Sequence, residues 1–115
     1  MDWEAVREIA GVLPEAEEYV TYGQPAFRVR GKLFVWMSPS REAVGALALR
    51  VDPDEKELIL ESNPDVYFET PHYRGYPAVL IRLEKIERRE LAERIEDAWL
   101  SRAPKRIVDE YLAEG

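Results

Sequence analysis

Residues 26–37 read Ala26-Phe-Arg-Val-Arg-Gly-Lys-Leu-Phe-Val-Trp-Met37, and the fold is organised around them. Two runs rich in β-branched and aromatic residues flank Gly31-Lys32, the pattern of a β-hairpin, and glycine at the first central position suits a type II′ turn. With that pair as the loop, Arg30 faces Leu33, Val29 faces Phe34, Arg28 faces Val35 and Phe27 faces Trp36. Residues opposite one another share a face of the sheet. One face is then Phe27, Val29, Phe34 and Trp36, an apolar set committed to the core. The other is Arg28, Arg30, Leu33, Val35 and Met37, a mixed basic and aliphatic surface. A four-residue loop with the same centre keeps these assignments.

Working outward, Asp2 caps a first helix whose Trp3, Val6, Ile9, Ala10 and Leu13 form one stripe, ended by Leu13-Pro14. Glu17–Tyr22 reads as a short strand, and Gly23-Gln24-Pro25 turns the chain into the hairpin. Ser38–Glu42 is a polar loop. Ala43–Val51 alternates, with Leu47, Leu49 and Val51 on one face and Ala46, Ala48 and Arg50 on the other. Asp52-Pro53-Asp54-Glu55 carries a capping-box spacing and starts a second helix that stops at Asn63-Pro64. Asp65–Glu69 and Ala78–Leu83 are strands joined by the loop Pro71–Pro77. Leu91, Ile95, Ala98 and Trp99 mark a long amphipathic helix, broken at Ala103-Pro104 before a last helix that buries Ile107, Val108, Tyr111 and Leu112. The order is helix, three or four strands, helix, two strands, helix, helix. It predicts an α+β fold with an antiparallel sheet covered by helices on one face.

At 115 residues the chain is expected to be a single domain, residues 1–115, and its apolar content of 46% excludes a disordered chain. No apolar run spans a membrane, and the acidic start Met1-Asp-Trp-Glu lacks the pattern of a secretory signal. Cysteine is absent, which excludes disulfides, thiolate metal sites and cysteine nucleophiles. These features fit a cytoplasmic location. Charge is distributed unevenly: residues 1–20 carry −5, residues 21–51 carry +4 and residues 52–115 carry −6. The net value of −7 opposes phosphate-backbone binding, whereas the basic segment offers a local anionic docking face.

Two stretches, Tyr22-Gly-Gln-Pro-Ala-Phe27 with Val29-Arg-Gly-Lys-Leu-Phe34, and Thr70-Pro-His-Tyr73 before Val79–Leu83, resemble the MmcQ/YjbR family of small bacterial domains. The C-terminal Leu91, Ala98, Trp99 and Ala103-Pro104-Lys105 extend the resemblance. It implies a secretion-chaperone-like two-layer fold in the order α-β(3)-α-β(2)-α, here with an extra C-terminal helix. It also implies a DNA-binding role through two projecting hairpin wings. In this chain Arg74-Gly75-Tyr76-Pro77 stands where relatives tend to place a basic residue and a tryptophan.

Candidate phosphate contacts are Arg28, Arg30, Lys32, Arg41 and Arg74, since arginine's planar fork holds a phosphate bidentately. The alternative is a protein-interaction or small-ligand module using Tyr22, Leu33, Val35, Met37, His72 and Tyr73. Leu33, Val35 and Met37 would form a docking or dimer surface, and Tyr22, His72, Tyr73 and Arg74 a small anion-accepting pocket. The lone His72 has no metal-ligand partners, and Ser38, Ser40 and Ser62 fit no nucleophile elbow. No catalytic residue, metal or cofactor is therefore expected.

Overall fold

The computed structural model describes residues 1–114. The elements run α1 (Trp3–Ala10), β1 (Ala16–Thr21), β2 (Gln24–Val29), β3 (Lys32–Met37), β4 (Leu47–Arg50), α2 (Lys56–Ser62), β5 (Tyr67–Phe68), β6 (Ala78–Ile81), α3 (Arg88–Arg102) and α4 (Lys105–Glu114). Single 3-10 turns occur at Arg41–Ala43 and Pro71–Tyr73. The six strands form one antiparallel sheet in the order β1-β2-β3-β4-β6-β5. Four strands precede α2, one more than the resemblance implies.

The central hairpin forms, but one residue away from the expected register. Val29 pairs with Lys32, so the loop is Arg30-Gly31, and both loop residues have positive φ (49° and 80°). That is the type I′ geometry, which places glycine second rather than first and matches the twist of the strands. Tyr22-Gly23 closes the β1–β2 hairpin in the same way, with φ of 51° and 74°. Farther along, Arg28 pairs with Leu33 but Phe27 pairs with Val35, leaving Phe34 as an extra, bulged residue.

The slip and the bulge correct three face assignments. Val35 has no exposed surface and lies in the helix-side core with Phe27, Val29 and Phe34, and Met37 packs against the same cluster. Trp36 instead moves to the opposite face, with Ala26, Ala48 and Leu80. A bulge admits one extra residue, which shifts every later side chain to the other face. Val35 and Met37 therefore cannot form the expected docking or dimer surface.

On the helix side, α3 supplies Leu91, Ile95 and Trp99, all fully buried. The Trp99 indole N–H donates to the Pro14 carbonyl at 3.0 Å and the ring meets Tyr111 of α4 edge-on. Trp3 of α1 stacks on Phe27. Asp2 caps α1 through the Ala5 N–H, as its sequence predicts. The helix α2 starts later than its capping-box spacing predicts. Asp52 accepts the Asp54 N–H and closes a turn, and the first helical residue is Lys56.

The opposite face is not a solvated sheet surface. A single cross-strand row, Tyr19-Ala26-Trp36-Ala48-Leu80-Phe68, runs over all six strands. Its alanines make a low floor onto which Ala43 and Tyr73 of the two connecting segments descend, and both become buried. Helices thus cover one face, and connecting segments cover the middle of the other.

A candidate ligand pocket on the sheet face opposite the helices

The β5–β6 connection turns back across this face because two buried contacts hold it there. Lys56, at the start of α2, extends its ammonium beneath the segment and donates to the carbonyls of Tyr73 (2.8 Å) and Tyr76 (2.7 Å). The Glu69 carboxylate lies 3.9 Å from the same nitrogen. On the far side the Tyr73 hydroxyl hydrogen-bonds with the Ser38 hydroxyl at 2.8 Å, both groups being buried. A buried ammonium is stable only when it is paired and hydrogen-bonded, and here it donates to two turn carbonyls that also accept from the Tyr76 and Ala78 N–H groups.

The connection so fixed leaves a cavity of about 220 Å³. Leu33 and Trp36 of β3 are its floor, and His72, Tyr73 and Tyr76 its wall. Thr21, Tyr22 and Pro39 close the end nearest the β1–β2 turn. Trp36 and Tyr76 meet at 6.4 Å and 86°, and Tyr73 and Tyr76 at 6.4 Å and 70°. The His72 ring meets Tyr73 at 5.0 Å and 79°. These edge-to-face contacts are favourable packing geometries for quadrupolar rings and hold the rings at steep angles around the opening. Tyr22 is 87% exposed at the rim. No carboxylate lines the cavity.

Of the six residues expected to form a ligand or partner surface, the fold brings Tyr22, Leu33, His72 and Tyr73 together here. Val35 and Met37 lie beneath the helices, and Arg74 is exposed but does not line the cavity. Trp36, Tyr76 and the supporting Lys56 are absent from the expectation. A loop bounded by Pro71 and Pro77 with three ring-bearing residues between them was the available signal.

The basic set is divided. Arg28, Arg30 and Lys32 share the β2–β3 hairpin, but Arg28 binds Glu17 at 2.5 Å with its guanidinium 4.2 Å from the Tyr19 ring centre. Arg30 pairs with Glu15, whose carboxyl that hydrogen bond holds below its ordinary range. Lys32 and Arg41 are exposed, the latter at the opposite end of β3 in the 3-10 turn leading to β4.

A second cleft, about 320 Å³, lies between β4 and the C-terminal half of α3 and is lined by Arg50, Asp52, Glu55, Arg94 and Asp97, among others. Beside it the buried Tyr67 hydroxyl donates to Glu90 and accepts from the Arg94 Nε at 2.9 Å. Burial first, then the Glu90 carboxylate, pushes that phenol up to about 12. Among the described residues no group of three or more His, Cys, Asp and Glu side chains is placed to hold a metal ion.

The family model described as YjbR matches residues 12–101. The chain belongs to the YjbR family. The matched span contains every residue that lines the aromatic cavity, while α1 and α4 lie outside it. Two relatives are uncharacterised proteins, Rv2570 of Mycobacterium tuberculosis and Mb2600 of Mycobacterium bovis. Each is 40% identical, with 96% of this chain and 95% of the relative covered. The crystal structure of Deinococcus radiodurans protein DR2400, a DUF419 domain, has the same fold, with a TM-score of 0.71 at 17% identity. The alignment covers 87% of this chain and 77% of that one. No helix among the described residues is long and apolar enough to cross a membrane.

Proposed function

We propose that this YjbR domain is a non-catalytic, cytoplasmic binding module whose aromatic cavity takes a small ligand with a flat ring. The observation that carries this reading is the arrangement of Trp36, Tyr73 and Tyr76, steeply inclined to one another around about 220 Å³ of largely apolar space. The wall is fixed in advance by Lys56 and Ser38, so a ligand need not order it, and such preorganisation lowers the cost of binding. A flat ring satisfies these walls better than an aliphatic group, because it meets each one edge-to-face or in offset stacking. The volume fits a ligand of one or two fused rings.

Calorimetric titration with indole tests the reading. Saturable binding is expected, and Tyr76→Ala is expected to weaken it about 2–10-fold, the worth of one aromatic pair. Tyr76 is partly exposed, so its removal spares the core. Absence of saturable binding, or an unchanged affinity in the variant, overturns the assignment.

A second reading, DNA binding through the β2–β3 hairpin as a wing, draws on the clustering of Arg28, Arg30 and Lys32 at its tip. Two of those three cations already have carboxylate partners that a phosphate would have to displace. An anisotropy titration of duplex and single-stranded DNA at about 50 mM salt decides it: affinity falling steeply with added salt supports the wing, and no binding rejects it.

A further inference from the structure

We infer that the ligand of the aromatic cavity is an anion, whose carboxylate or phosphate is held by Arg50 and Arg102 beyond Tyr76. This rests on the reading of the cavity given above.

Arg50 is the last residue of β4, paired in register with Ala78, and projects on the same side of the sheet as Ala48. Its guanidinium carbon is 5.7 Å from the centre of the Tyr76 ring. Arg102 ends α3 and approaches the same place from the helix side. It follows Ser101, which lines the same cleft as Arg50, and burial first, then the Arg50 charge, draws its pKa below the ordinary value. Two like charges thus lie at the same end of the β4–α3 cleft, one of them against Tyr76. Tyr76 is also the wall of the cavity that meets Trp36.

What this pair lacks is a counter-charge. Arg7, Arg28, Arg30, Arg88, Arg89, Lys56 and Lys105 each have a carboxylate within 4.0 Å. Arg50 and Arg102 have none among the described residues, a lack they share with Lys32, Arg41, Arg74, Arg82, Lys85, Arg94 and Arg106, so it is their position and not the lack alone that marks them. Asp52, Glu55 and Asp97 line the cleft with Arg50, yet none forms an ion pair with it. The Arg102 Nε is moreover buried with no acceptor. Buried donors are almost always satisfied, and an arginine fork is shaped for an oxyanion. A ring against Trp36 and Tyr76 with a short acidic arm reaching past Tyr76 completes both sites at once.

Calorimetry on the full chain with four probes tests this: neutral 3-methylindole, cationic tryptamine, anionic indole-3-propionate and 1-naphthyl phosphate. The anions are expected to bind at least about tenfold more tightly than 3-methylindole, with tryptamine weakest. The advantage should shrink as salt is raised, and the tighter of the two anions names the head group. In Arg50→Gln with Arg102→Gln the advantage should vanish while 3-methylindole binds as before. Equal affinities for the anionic and neutral probes overturn the anion site and leave the cavity standing, as does an advantage that survives the double variant. Failure of all four probes overturns the cavity itself. The comparison of probes on the unaltered protein, with its salt dependence, needs no variant to fold.

Discussion

Lys56 carries more of the site than any residue that touches its interior. Its ammonium holds the Tyr73 and Tyr76 carbonyls, and through them the wall of the cavity. Lys56→Met keeps the buried stem but leaves two carbonyls without that donor. Loss of hydrogen bonds to a charged group costs about 1.5–3 kcal/mol. Urea denaturation should register a loss of that order, and affinity for indole should fall as the wall loosens; an unchanged midpoint would contradict the role given to Lys56. Glu18 is the corresponding tie on the helix side. Its carboxylate accepts from Arg7 at 2.8 and 2.9 Å and from the Trp3 indole at 3.0 Å, joining α1 to β1. Those hydrogen bonds, Arg7 first, hold its pKa below the ordinary value. A carboxyl with a depressed folded-state pKa adds stability that is present above its unfolded pKa, near 4.3, and lost as pH falls through the folded value. Glu18→Gln should therefore lower the melting temperature at pH 7, and the gap to the parent should close under strong acid.

At the scale of elements, the two type I′ hairpins set the position of every side chain in the cavity floor. Arg30 and Tyr22 hold left-handed conformations that side chains other than asparagine and glycine adopt at some cost. Arg30→Asn turns the loop into Asn-Gly and should stabilise the domain by about 0.5–1 kcal/mol, less what the exposed Glu15 pair contributes. Against a Glu15→Gln background, which removes the ion pair beforehand, a destabilised Arg30→Asn variant in thermal melts would reject the turn assignment. The existence of this hairpin was legible in the sequence because Gly31 separates two β-rich runs. Its register was not, because glycine satisfies the first position of a II′ turn and the second of an I′ turn equally well. The bulge at Phe34 left no local mark, since Phe34, Val35 and Trp36 are all apolar and either alternation reads as a core face. Simple alternation therefore puts Trp36 on the helix-side face and Val35 opposite, the reverse of the structure. The start of α2 misled for a related reason. Asp52 has the chemistry of a cap, but burial of Lys56 and Ile59 on one side of the helix sets where it begins.

For the whole molecule, the α+β class, the antiparallel sheet and the helices on one face were readable from strand alternation and helical stripes. The covering of the second face was not. It depends on Trp36 meeting Tyr73 and Tyr76 across some forty residues of chain, and on alanines at 26, 48 and 78 that look unremarkable until the strands are side by side. Charge behaved in the same way. Along the chain, residues 21–51 are an island of +4, but β1 lies antiparallel to β2 and brings Glu17 opposite Arg28, and the Arg30 at the hairpin tip reaches Glu15. Cations without a carboxylate within 4.0 Å remain nearby: Arg74 between Tyr73 and Tyr76, and Arg50 with its guanidinium 5.7 Å from the Tyr76 ring. The domain thus presents an aromatic cavity with a basic end more than a basic wing. The three tryptophans give this account its most direct test, because Trp36 lies in the cavity floor whereas Trp3 and Trp99 pack on the helix side. In nitrogen–proton NMR spectra during an indole titration, the Trp36 indole N–H should shift progressively and saturate while those of Trp3 and Trp99 stay in place. A stationary Trp36 signal, or equal shifts of all three, would contradict it.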